Sequence, residues 1–370
     1  MLATAAIWFA LLRGGDAGEG GGVVSEPIGV SPEVAEIVAR MPAVDQVDQL
    51  LLLGFEGTQP DASTIDQLRA EQLGGVIIGA ENWTGRDAGA ALIGDLRAAG
   101  LAGERVSPLI VAAQEGGSYR SFDDLPPADG QIDVGDAGSI EAAEAWAQQA
   151  SAGLGSIGVD LNLFPVADVA TLDSPVADRA FSDDASVVTA MTTAAVRGCR
   201  AGRIACAPLH FPGLGAASGD VARGPATVSL DAASLAQRDL LPFLGAFGER
   251  APAVVLSLAL YSAYDPVTPA ALSPEVATEL LRDELAFEGL AITDDLGAGA
   301  VGAGYSVPDA AVAAVAAGSD LLQIASPDDQ EGVRDALLAA VESGTIAPER
   351  LAEASGRVLE LKRTLGLLPE

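Results

Sequence analysis

The side chains able to do chemistry here are carboxylates, one arginine and one histidine, each just beyond a short apolar run. Glu115 lies in Gln114-Glu115-Gly116-Gly117, and Asp178 and Arg179 open Asp178-Arg179-Ala180-Phe181. His210 sits in Leu209-His210-Phe211-Pro212-Gly213-Leu214-Gly215, Asp220 in Asp220-Val221-Ala222, and Asp294 in Ile292-Thr293-Asp294-Asp295. Carboxylates can attack a carbon centre or relay a proton. An arginine can fork two hydrogen bonds to neighbouring oxygens. This set suits a hydroxyl-rich ligand such as a sugar. Each residue also has a plainer reading. Asp294 could cap the next helix, Asp178 and Arg179 could form a structural ion pair, and His210 could be a satisfied core histidine. His210 is the only histidine of the 370 residues.

The elements that must position these groups are short apolar runs bounded by Gly, Pro or polar residues, which read as strands. They are Leu51 to Phe55, Gly75 to Ile78, Leu109 to Ala112, Val159 to Leu163, Ile204 to Ala207, Val254 to Ser257, Leu290 to Thr293 and Leu321 to Ile324. Helical stretches lie between them: Ile140 to Leu154, Ser186 to Gly202, Pro274 to Leu285 and Val307 to Ala317, with Pro348 to Leu365 closing the chain. Uniformly apolar strands alternating with helices predict parallel strands buried on both faces. Eight such repeats predict an α/β fold of the (β/α)8 TIM-barrel type, a single barrel over 31–370. A doubly wound sheet is the alternative, but Gly54-Phe55-Glu56-Gly57 does not make its phosphate-binding turn. In a barrel the loops after the strands share one rim. That rim would gather Gln114, Glu115, Asp168, Asp178, Arg179, His210, Asp220, Asp294 and Asp295.

Composition narrows the partners. Fifty-two acids against 20 bases leave a net charge of −32. Such a surface repels phosphate backbones, so nucleic acid is not expected as a partner. One histidine and two cysteines, Cys199 and Cys206, cannot complete a zinc site, so no metal or other cofactor is expected. The cysteines read either as buried thiols or as a disulfide in an exported protein. Leu2 to Leu12 is apolar but too short to span about 30 Å of hydrocarbon. Residues 1–13 read as the remnant of a signal or membrane anchor, or as a frayed apolar terminus. Residues 14–30 have the Gly-rich acidic composition of a linker. The corresponding location is the cell envelope or the exterior, with membrane attachment through the N-terminus, and a monomer is expected.

In ordered series these motifs resemble glycoside hydrolase family 3, and more narrowly the single-barrel bacterial β-N-acetylhexosaminidases. The series runs through Leu53-Gly54-Phe55-Glu56-Gly57, Gly74-Gly75-Val76-Ile77-Ile78, Gln114 to Gly117, Asn162 to Asp168, Asp178 to Phe181, His210 to Gly213, and Ile292 to Leu296. The resemblance implies retaining hydrolysis of terminal β-linked N-acetylglucosamine in cell-wall-type glycans. A carboxylate attacks the anomeric carbon and an acid protonates the leaving oxygen. It makes Asp294 the nucleophile and places Arg179, His210, Asp178 and Glu115 around the sugar, with Asp178 able to orient Arg179.

Four positions depart from that pattern. Ala113 stands where the family has Asp, Leu209 where it has Lys, and Leu214 where the hexosaminidases often show His. Ala222 stands where they carry the acid/base histidine of an Asp-Ser/Thr-His triplet, leaving Asp220 as its remnant. A loop aspartate of ordinary acidity, about 3.9, is a poor proton donor near neutrality. General acid catalysis is worth typically about 10²–10⁴-fold. Two readings follow. One is a β-N-acetylhexosaminidase with lost or impaired activity. The other is a non-catalytic barrel that binds glycan or acts as a scaffold at the cell envelope.

Overall fold

The computed structural model describes residues 29–101 and 106–368. The apolar segment 1–13, and all but the last two residues of the 14–30 stretch, lie outside the described residues. The strands, in chain order, are β1 (Leu51–Leu53), β2 (Gly75–Ile78), β3 (Leu109–Ala112), β4 (Leu161–Asn162), β5 (Ala205–Cys206), β6 (Thr227–Val228), β7 (Ala253–Leu256), β8 (Leu260–Tyr261), β9 (Leu290–Thr293) and β10 (Leu322–Ile324). Six form one parallel sheet in the order β10-β1-β2-β3-β4-β5, and β7 pairs in parallel with β9.

Backbone bonds complete the ring. Val255 N–H donates to the Pro208 carbonyl at 3.0 Å, and Phe211 N–H to the Val255 carbonyl at 2.8 Å, joining the extension of β5 to β7. Thr293 N–H donates to the Leu321 carbonyl at 2.9 Å, joining β9 to β10. The result is the expected eight-stranded (β/α)8 barrel. Several strands are shorter than their apolar runs, because the run continues past the last ladder bond into the rim loop. The β6/β8 pair is additional. Two residues long on each side, it ties the loop after β5 to the loop after β7.

Period-two alternation divides the strand residues between two cores. Leu52, Leu109, Val111, Leu161, Leu163, Ala205, Ala207, Val255, Leu290 and Ile292 pack together inside the barrel. Ile110, Ala112, Val254, Leu256, Ala291 and Ile324 face the surrounding helices. Among those helices, Ile140–Gly155 and Ala185–Gly202 follow the predicted bounds closely. Cys199 and Cys206 pack between helix and strand as buried thiols with no disulfide between them.

The final helix, Pro348–Thr364, seals the end of the barrel where the strands begin. Asp320, just before β10, receives Arg282, Arg350 and Arg357 at 2.7, 2.6 and 3.0 Å. Burial works against its charge, yet the three guanidiniums hold its carboxyl below the ordinary range. On the final helix Lys362, the chain's only lysine, is wholly buried and donates to Gln49 Oε1 and the Leu73 carbonyl at 2.8 and 3.0 Å. Ser31 anchors the start of the described chain to the same helix, donating its N–H and hydroxyl to Glu360 at 2.9 and 2.8 Å.

Candidate functional site

The loop after β3 is built around an amide pair. Gln114 N–H donates to Asn162 Oδ1 at 2.8 Å and Asn162 Nδ2 donates back to the Gln114 carbonyl at 3.2 Å, extending the β3–β4 ladder through a side chain. Gly116 follows at φ 87°, where an added Cβ would lie 2.1 Å from the Asp129 carbonyl. Only glycine fits there. The turn delivers Glu115 to the rim. Its carboxylate accepts Arg179 Nε at 2.9 Å and Nη2 at 2.6 Å, a bidentate fork. Burial alone would lower the pKa of this guanidinium. The neighbouring charges of Glu115, Asp168 and Asp294 outweigh it and hold Arg179 above its ordinary value. The expectation that Asp178 orients Arg179 is corrected. Asp178 instead accepts the Tyr119 hydroxyl, and Tyr119 lies under the guanidinium, with Arg179 Cζ 5.4 Å from the ring centre. Adjacent residues on a non-helical loop point in different directions, so their sequence proximity says little about pairing.

His210 is locked from behind. Asp168, wholly buried after β4, takes its Nδ1 at 2.8 Å. The same carboxylate accepts the His210 and Leu214 backbone N–H groups at 3.2 and 2.7 Å. A carboxylate there makes Nδ1 the donor and fixes the orientation of the ring. This role of Asp168 was not assigned from sequence. Its partner lies 42 residues away and no local pattern marks the pair.

Asp294 follows the last residue of β9. Its N–H is tied to the Leu256 carbonyl at 3.1 Å, and its Oδ1 accepts the Asp295 N–H at 2.9 Å. It is half-buried at the barrel mouth. The neighbouring Asp295 has a structural task. It accepts the Ala325 and Gly297 N–H groups at 3.1 and 3.2 Å, pinning the loop after β9 to the end of β10. Glu115, Arg179, Asp168, His210 and Asp294 are thus one group, linked by contact or by direct electrostatic influence on Arg179.

Asp220 stands apart. It accepts the Ala222 N–H within its own turn at 3.0 Å and pairs with exposed Arg223 at 3.2 Å. That turn is stitched to the loop after β9, the Ala222 carbonyl accepting Gly299 N–H at 3.1 Å. The altered positions nearby are apolar in fact as well as type. Leu209 packs in the barrel interior, Ala113 borders that interior half-buried, and Leu214 lies in the outer core.

One further buried group adjoins the His210 loop. Asp239 is wholly buried against Gly213, with no hydrogen bond to either carboxyl oxygen. Its nearest cation is Arg238, at 3.9 Å. Burial pushes its pKa up to about 7, the Asp168 charge adding to the rise and Arg238 opposing it. Among the described residues no cluster of three His, Cys, Asp or Glu side chains could hold a metal ion.

Carboxylates, a clamped guanidinium and a fixed imidazole on the C-terminal rim define a (β/α)8 barrel of the enzyme type, whose rim loops carry the polar groups. The chain belongs to glycosyl hydrolase family 3, whose N-terminal domain profile matches residues 43–361. It is 31% identical over 328 residues to a beta-hexosaminidase of Stenotrophomonas maltophilia, covering 86% of this chain and 91% of that protein. A beta-hexosaminidase of Methylococcus capsulatus is 32% identical over 294 residues, covering 77% and 85%. Among solved structures, a family 3 beta-N-acetylglucosaminidase from Paenibacillus sp. superposes with a TM-score of 0.86 at 31% identity. That match covers 89% of this chain, which spans 64% of the Paenibacillus chain. The beta-N-acetylhexosaminidase of Beutenbergia cavernae superposes at 0.77 and 28% identity, covering 89% of this chain and 99% of that one.

Proposed function

We propose that this chain is a β-N-acetylhexosaminidase-type barrel that binds N-acetylglucosamine-containing glycans of the cell wall and hydrolyses natural substrates poorly. Asp294 is the attacking carboxylate, a role supported by its position just past the end of β9 with its N–H held by the Leu256 carbonyl. Arg179, fixed by Glu115, and His210, fixed by Asp168, bind the sugar's oxygens, and Asp178 holds the Tyr119 hydroxyl beside them. The weakness lies in proton delivery. The observation that carries this reading is the engagement of Asp220 within its own turn and with Arg223, beside an alanine where an acid/base histidine would stand.

With a nucleophile but no acid, a good leaving group can still depart unaided, whereas a sugar alkoxide cannot. Hydrolysis of an aryl β-N-acetylglucosaminide and of a natural N-acetylglucosamine disaccharide, each with Asp294→Ala as control, tests the reading. The expected result is slow aryl cleavage abolished in the control and no measurable disaccharide cleavage. Efficient disaccharide turnover that vanishes in the control would overturn the impairment. The apolar 1–13 segment and acidic linker support a place at the cell envelope, held as a monomer through the N-terminus. Were both substrates inert and the sugar still bound, a glycan-binding or scaffolding barrel would be the function.

A further inference from the structure

The inward faces of the strands sort the barrel mouth by polarity. Alternation carries the interior stack upward from Leu109 and Val111 to Ala113, from Ala205 and Ala207 to Leu209, and from Leu290 and Ile292 to Asp294. By the same parity β2 offers Ile77, β4 leads to Leu163 and β10 offers Gln323. Ile77, Ala113, Asp294 and Gln323 are half-buried and border the opening, and Leu163 and Leu209 seal the wall beneath at 4% and 5% exposure. Four consecutive strands, β2 to β5, therefore present only aliphatic side chains. The polar floor residues stand together on the neighbouring strands β7, β9 and β10, where the same parity reaches Ser257, Asp294 and Gln323. Arg179 and His210 come in above, from the loops after β4 and β5.

We infer that the site selects an amino sugar with an apolar substituent on the ring edge lowered toward β2–β5, either a deoxy position or an O-acyl group in place of a free hydroxyl. This rests on the hexosaminidase reading above. A hydroxyl pressed against Ile77, Ala113 and Leu209 surrenders its water and meets no donor or acceptor there. A methyl or acyl group in the same place gains by burial. The opposite edge of the ring faces Asp294 and Gln323, and Arg179 and His210 meet the ring from above rather than at this floor. Apolar walls reject an added hydroxyl only moderately, so the discrimination should be about 10- to 100-fold.

Titration calorimetry on the full chain measures this without requiring turnover. The ligands are N-acetylglucosamine, its 4-deoxy and 6-deoxy analogues, and its 4-O-acetyl and 6-O-acetyl esters. At least one analogue should bind about 10-fold or more tightly than the parent sugar. The deoxy and acyl arms show which apolar group is taken. Leu209→Lys should narrow or reverse the preference. Ala113→Ser, at a half-buried position that tolerates one added oxygen, serves the same purpose should the lysine variant not fold. Parent sugar binding as tightly as every analogue would overturn the inference and leave the sugar-binding reading standing. Failure of all five ligands to bind would overturn both.

Discussion

Asp220 and Arg223 close a turn on themselves, with Arg223 Nε 3.2 Å from one carboxylate oxygen while the other accepts the Ala222 N–H at 3.0 Å. The carboxylate of Asp220, in the loop after β5, is therefore engaged within its own turn. Restoring an imidazole at the adjacent exposed position, Ala222→His, should raise kcat/KM for a natural disaccharide by about 10²-fold or more and give it a bell-shaped pH profile. A folded variant with no gain would show that proton supply is not what limits the reaction.

Glu115 grips Arg179 through two short bonds, and its side chain is only 6% exposed against 22% for the arginine. Glu115→Gln removes one charge and one strong acceptor from that fork. It should destabilise the fold by about 1–2 kcal/mol, discounted for the partial exposure of Arg179. Sugar affinity should fall by about 10-fold as the guanidinium loses its fixed direction. Thermal melting and calorimetry check the two effects separately. An unchanged affinity would remove Arg179 orientation from the account.

Asp239 gives stability a pH dependence. Its folded pKa of about 7 lies above the ordinary 3.8, so the folded state holds this proton more tightly than the unfolded chain. The stability it contributes is complete below the unfolded value and is lost as pH rises through the folded one, across about pH 4 to 7. Asp239→Asn should flatten that slope and leave the variant more stable than the parent at pH 8, by about 2 kcal/mol. Urea midpoints at pH 5 and pH 8 decide it, and parallel shifts in both proteins would sink the assignment.

Lys362 works in the opposite sense. Burial pushes its pKa down to about 7, with Asp160 opposing. The unfolded chain then holds that proton more tightly, and stability from this group grows as pH rises from about 7 toward 10.5. Because it is the only lysine, an amine-acylating reagent reports on one side chain besides the terminus. Under native conditions at pH 8 Lys362 should stay unmodified and react only across the unfolding transition. Rapid modification of the folded protein would show that the final helix opens independently.

The barrel was legible in the sequence because its strands are apolar on both faces, and runs such as Leu109–Ala112 and Leu290–Thr293 match their strands residue for residue. The rim residues followed from the rule that polar groups just past such runs share one end. What stayed hidden depends on separation in the chain. Asp168 and His210 meet across 42 residues, and β6 and β8 are each only two residues long. The burial of Asp239 comes from the close approach of Gly213, which no composition or periodicity records. The pairing of Asp178 with Arg179 was the natural guess from adjacency, and the loop after β3 supplied a better-placed partner.

The Ser31–Glu360 contact fixes the start of the described chain against the final helix. Gly29 lies near Glu288, just before β9 begins, so residue 29 lies at the base of the cup. The polar brim therefore stands at the opposite end of the barrel from residue 29, and the approach to Asp294, Arg179 and His210 is left clear of the start of the described chain.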